Sequence, residues 1–284
     1  MRQILPFPFL LALLASPGLV QAATADIQVC ASSDCTVLDN KTFGGPGQPV
    51  AIEADLVGPT VEVFRDFDGS LVATGGATAF GRVGLGSLHA TAQITINVEP
   101  NTGARVEIAA NSAVAFQDSV RVRSSSLASG TPVTLTANMV IGGGGRGSAL
   151  LRISRLGTFL GGDSDTAGSL SDTLESLTTT FAAKVGDLLL VEMELAARVS
   201  CAPCIFAAAV PARALTQVSD YGNSAYLYLA GVDPGLGITF EGTNGYNYLQ
   251  PAPVPLPGAL GLFGAALLAG WRRRAQPAVC ADAA

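Results

Sequence analysis

Residues 89–98 read His89-Ala-Thr-Ala-Gln-Ile-Thr-Ile-Asn-Val98 and alternate without a break. The polar set is His89, Thr91, Gln93, Thr95 and Asn97; the apolar set is Ala90, Ala92, Ile94, Ile96 and Val98. Successive side chains of an extended strand point to opposite faces, so the pattern describes a strand with one buried and one wet face. The period recurs at 133–141 (Val133, Leu135, Ala137, Met139, Ile141) and at 189–195 (Leu189, Val191, Met193, Leu195), with Glu192 and Glu194 on the opposite side. One-sided burial favours antiparallel sheets. The expected core includes Ile94, Ile96, Leu135, Met139, Val191 and Met193, because a one-residue slip would expose the whole set.

Turn signals separate these runs. Asp68-Gly69 lies between VEVFRDF and SLVAT and predicts a hairpin. Gly142 to Gly145 reads as a flexible loop, Asn244-Gly245 as a further turn, and Ser169–Leu177 as room for a short turn of helix. Helical periodicity is otherwise confined to the termini. Short strands with frequent turns predict an all-β fold, an antiparallel β-sandwich or jelly roll.

Composition agrees. Only 13% of the 284 residues are charged, about half the usual share, and Lys occurs only at Lys41 and Lys184. The net charge is −6, although Arg2 and Arg272–Arg274 sit in the terminal segments, so the part between them is more acidic still. That balance argues against a nucleic-acid partner, which calls for a basic stripe.

Both ends read as targeting segments. Met1-Arg2-Gln3 is a short positive region, Ile4 to Leu14 is apolar, and Ser16-Pro17-Gly18 breaks the run. Val20 and Ala22 then supply the small residues that a signal peptidase requires, so residues 1–22 form the expected signal peptide, with the cut after Ala22 preferred and after Ala23 as the alternative. Residues 23–250 form the expected β domain, long enough to bury a core without staples. Residues 251–255 are a proline-punctuated spacer. Residues 256–271 carry no charge and span about 24 Å as a helix, slightly less than a hydrocarbon core, which predicts a single membrane helix. Residues 272–284, opening with Arg272, Arg273 and Arg274, are the expected cytoplasmic tail, by the bias of basic residues to the inner side.

Val254-Pro255-Leu256-Pro257, followed by the Gly- and Ala-rich run and the three arginines, resembles a PEP-CTERM sorting signal, in a variant with Leu256 where the commonest form has Glu. The resemblance implies an exported bacterial protein, processed near the proline motif by an integral-membrane exosortase and associated with extracellular polymeric substances. A sortase-type signal is similar in layout, but Leu256-Pro257-Gly258-Ala259 lacks its threonine. Within the domain, GSLHATAQIT (86–95), SAVAFQDSVRVRSSSLASGTPVTLTANMVIGG (112–143) and SDYGNSAYLYLAGVDPGLGITFEG (219–242) resemble a secreted β-sandwich group that carries such tails. That group brings no catalytic residues. The implied location is a membrane-anchored precursor, then the cell surface or extracellular space.

Several residues could carry chemistry. Cys30 and Cys35, and Cys201 and Cys204, are the expected disulfides in an oxidising compartment, with Cys280 left free beyond the arginines. The rival for Cys201-Ala-Pro-Cys204 is a redox site, which needs a helix after the strand to lower a thiol pKa. A four-thiol zinc site fits the spacing poorly. His89 is the single histidine, which excludes a multi-histidine metal centre and leaves a solvated side chain on the polar face of its strand. Asp66/Asp68 and Asp163/Asp165 are acidic pairs; a glycosidase needs two carboxylates across a cleft, and GGDSDTAG offers oxygen ligands for calcium without EF-hand spacing. Tyr226, Tyr228, Tyr246 and Tyr248 could stack on sugars or simply pack. No cofactor, metal site or catalytic residue is expected. The leading reading is a non-enzymatic surface or matrix protein, with signal peptidase, an exosortase-type enzyme, the membrane and polysaccharide as partners. Its rivals are a carbohydrate-binding module or adhesin, and a secreted hydrolase.

Overall fold

The computed structural model describes residues 24–31, 38–44, 51–57, 61–65, 71–100, 104–206, 213–242 and 246–249. The signal peptide with Val20 and Ala22, Cys35, Asp66 and Asp68, and the whole stretch from 250 onward lie outside them. So do the membrane-helix reading of 256–271 and the domain boundaries at 22, 250, 255 and 271.

The described residues are almost entirely strand. In chain order they are β1 (Thr24–Ala31), β2 (Leu38–Gly44), β3 (Ala51–Val57), β4 (Val61–Arg65), β5 (Leu71–Gly84), β6 (Ser87–Val98), β7 (Ala104–Ser124), β8 (Pro132–Ile141), β9 (Gly147–Arg155), β10 (Thr158–Ala167), β11 (Leu177–Lys184), β12 (Leu188–Phe206), β13 (Arg213–Gly231) and β14 (Ile238–Gly242), with a 3-10 turn at Pro234–Leu236. One sheet runs β10-β9-β12-β7-β1-β2, with β14 also on β7. The second runs β11-β8-β13-β6-β5-β3, with β4 also on β5. Every strand pair is antiparallel. The two sheets pack face to face as a sandwich, as the alternation predicts.

The core is the apolar set read from the sequence: Ile94, Ile96, Leu135, Met139, Val191 and Met193 are all fully buried. Strand β6 repeats its alternation as burial, with Gln93 and Asn97 exposed between Ile94, Ile96 and Val98. The VEVFR and LVAT segments pair as predicted, Val61 with Gly75 and Arg65 with Leu71, while Asp68-Gly69 itself lies outside the described residues.

Three readings change. The strands are not all short: β7 has 21 residues and β12 and β13 have 19 each, against a usual five or six. Residues 104–124 contain neither Gly nor Pro, so nothing interrupts β7. Gly142 to Gly145 is a pinned crossing and not a loose loop. Gly144 exchanges both backbone hydrogen bonds with Asp220 (2.9 and 2.8 Å), and Gly145 N–H donates to Asp172 (2.8 Å). Gly143 and Gly145 have φ of 120° and 119°, and a Cβ on Gly145 would lie 2.6 Å from Ser219 Cα, so only glycine fits this close approach. Residues 169–176 form a turn without a helix, in which Asp172 accepts from Ser169 N–H (2.7 Å).

Cys201 and Cys204 are joined, with Cα atoms 5.2 Å apart. The bridge closes an irregularity in β12, where Cys201 pairs with Ile108 and Cys204 with Val106 across β7. Constraining so short a loop is worth about 2 kcal/mol on the chain-entropy scale. Converting both cysteines to alanine should therefore lower unfolding stability by about that amount. An unchanged denaturation midpoint in the double variant would show that the bridge contributes nothing.

Candidate functional site

Each group singled out for chemistry has a definite position. The Cys201–Cys204 pair sits within a strand and not at a helix N-terminus, and Cys201 is buried. That geometry is structural and offers no exposed, activated thiol. Cys30 falls in β1, opposite Asn111 of β7, while Cys35 lies outside the described residues.

His89 is only 8% exposed, against the solvated side chain expected. It pairs with Arg82 on β5, and on its other side β13 carries a register irregularity between Tyr221 and Ala225.

Asp163 and Asp165 lie in β10, a strand, where a calcium loop had been the alternative. Their carboxylates take backbone donors. Asp163 accepts from Ser164 N–H (2.9 Å) and Thr178 N–H (2.9 Å), and Asp165 from Thr166 N–H (2.7 Å) and Glu175 N–H (2.7 Å). Strands β10 and β11 are edges of the two sheets, and unpaired edge N–H groups invite foreign strands. The two aspartates satisfy those donors and close this side of the sandwich.

The late tyrosines pack. Tyr248 is fully buried, and its hydroxyl donates to Asp118 Oδ2 at 2.6 Å. Its carbonyl accepts from Leu229 N–H (3.0 Å), and its ring meets Tyr246 edge to face at 4.8 Å. Gly242 N–H donates to the Tyr246 carbonyl and Glu241 bridges Asn247 antiparallel, while Asn244-Gly245 lies outside the described residues. Burial first, and then the Asp118 carboxylate, hold the Tyr248 hydroxyl well above the usual phenol range. Tyr226 is buried as well, and Tyr221 donates to the Gly145 carbonyl (2.6 Å), with its pKa pushed up to about 12 mainly by burial. The sugar-stacking reading thus loses Tyr226 and Tyr248. Sequence reasoning missed Asp118, although a signal existed. It falls in phase with Val114, Phe116, Val120 and Val122 on the core side of β7, and a carboxylate there demands a partner.

Sequence reasoning also missed a recess of about 220 Å³ on the outer face of the first sheet. Register places Ala113, Ala196, Ser148 and Thr166 in one row across β7, β12, β9 and β10. The next row on one side holds Ala115, Glu194, Leu150 and Ser164; on the other side, Asn111 pairs with Arg198. Desolvation, with Glu192 adding repulsion, raises the Glu194 pKa, and desolvation with Arg146 nearby lowers that of Arg198. Asn111 Oδ1 is buried with no hydrogen-bond partner.

Comparison with known families supplies the observation that places the protein. Residues 253–274 match the family model for the PEP-CTERM protein-sorting motif. This chain carries a PEP-CTERM tail. The match covers Val254, Pro255, Leu256, Pro257 and Arg272–Arg274, the residues that the sequence reading assigned to sorting. A PEP-CTERM tail marks an exported protein that is sorted through the membrane and processed by an exosortase-type enzyme. No curated protein matches the chain.

Proposed function

We propose that this PEP-CTERM protein is a non-catalytic component of the cell surface or extracellular matrix, delivered as a folded β-sandwich and released or retained outside the cell by processing of its tail. The observation that carries the reading is the sorting motif at 253–274. The roles of the candidate reactive groups support it. The cysteines of the C-x-x-C are bonded to each other, and Asp163 and Asp165 are engaged with backbone N–H groups. Asp118 binds Tyr248. In this reading the expected partners are signal peptidase, the exosortase-type enzyme, the membrane before processing and the matrix afterwards, with no cofactor.

Fractionation tests it. In cells with an active exosortase the processed protein should partition with the extracellular polymer and not with the membrane, and deleting its gene should loosen that polymer. Recovery of the processed protein as a freely diffusing species with no effect of its deletion would refute the matrix role. Release of reducing ends from the polymer by the purified protein would refute the non-catalytic one.

A further inference from the structure

The recess on the outer face of the first sheet has the construction of a binding trough. Its floor is the row Ala113, Ala196, Ser148 and Thr166, small side chains crossing four strands and hence about 14 Å long. Rows above and below stand two residues away along each strand, about 7 Å to either side. Glu194 lines one wall and Arg198 the other, with Asn111 paired to Arg198 across the strands. The trough therefore runs across the strands and offers an acceptor on one side and donors on the other.

That layout selects among ligand classes. A polyanion would be opposed by Glu194 and by the acidic balance of the chain. An extended peptide binds sheets by adding to an edge ladder, yet the trough lies on a face, where side chains and not backbone groups are presented. At the bordering β10 edge, the N–H groups of Ser164 and Thr166 are already taken by Asp163 and Asp165. A chain of hydroxylated rings suits the trough. Each hydroxyl both donates and accepts, so it can meet a carboxylate on one wall and a guanidinium and amide on the other. The C–H face of a ring can lie on an alanine floor. The Asn111 Oδ1, buried without a partner, adds an unused acceptor at the wall.

We propose that this trough binds a linear polysaccharide, laid across β7, β12, β9 and β10 between Glu194 and Arg198. The inference does not depend on the sorting reading, because the recess lies wholly within β7, β9, β10 and β12 and is tested on the purified protein. The test is affinity electrophoresis in native gels cast with dextran, with hydroxyethyl cellulose, or with deproteinised extracellular polysaccharide of the host. Wild-type protein should be retarded by at least one of the three. Arg198→Ala and Glu194→Gln should each weaken that retardation about tenfold, and Ser148→Phe, which fills the floor, should abolish it. Gln93→Ala, on the outer face of the other sheet, should leave it unchanged. Circular dichroism confirms that each variant is folded before it is scored. No retardation in any of the three gels would overturn the proposal. So would equal retardation of wild type, Arg198→Ala and Glu194→Gln.

Discussion

Replacing Tyr248 with alanine is expected to cost about 4 kcal/mol, a large share of the 5–15 kcal/mol that holds a typical domain together. The ring is fully buried, and its loss leaves a cavity and takes a hydrogen-bond donor away from the buried Asp118 carboxylate. Tyr248→Phe keeps the ring and removes only the hydroxyl that donates to Asp118, so it should cost about 2 kcal/mol, the worth of a hydrogen bond to a charged group. A Phe variant as stable as wild type would mean that the 2.6 Å contact contributes nothing. The same bond predicts a response to alkali. Unfolded tyrosine ionises near pH 10, whereas the folded Tyr248 hydroxyl is held well above that and Tyr221 at about 12. Between those values the unfolded chain releases protons that the folded chain keeps. The stabilisation is therefore fully present below about pH 10 and is lost as pH rises through the folded values. Urea midpoints should be flat from pH 7 to 9 and fall from about pH 10 upward, less steeply in the Phe variant.

The second large effect comes from one strand and two adjacent positions. Ile94→Asp places a carboxylate in the core of β6, where residue 94 is fully buried, and should unfold the domain. Gln93→Asp, one residue earlier on the exposed face, should change stability by less than about 0.5 kcal/mol. Far-ultraviolet circular dichroism and thermal melting of the pair decide the register. Equal tolerance of both substitutions, or loss of the fold in both, would contradict the assignment of faces.

That pair also marks how far the sequence could be read. Period-two alternation reports which face a residue occupies, so Ile94, Leu135, Met139 and Met193 were legible before any coordinates. The antiparallel pairing of β4 with β5, the strands that flank Asp68-Gly69, was legible for a similarly local reason. Contacts between distant segments were not. Asp118 and Tyr248 are 130 residues apart, and nothing near either one names the other. His89 was misassigned because alternation tells which face a residue occupies and not how open that face is, and His89 is buried on it. The four glycines at 142–145 look flexible in sequence, yet close passage beside Ser219 and Asp220 requires glycine at 143 and 145. The trough stayed hidden because it depends on which strands become neighbours: Ala113 and Ala196 are unremarkable until β7 and β12 lie side by side. The sorting tail was fully legible, since a proline motif, an uncharged run and three arginines act through order along the chain.

The most direct test of the account is the intact mass of the protein recovered from outside cells that have an active exosortase. We expect a chain that begins at Ala23 or Thr24, carries two disulfide mass decrements, for Cys201–Cys204 and for the expected Cys30–Cys35 pair, and ends between Ala252 and Pro257. In cells lacking the exosortase, the chain should remain membrane-bound and extend to Ala284. An extracellular protein from exosortase-active cells whose C-terminus still includes Arg272–Arg274 would contradict the central claim.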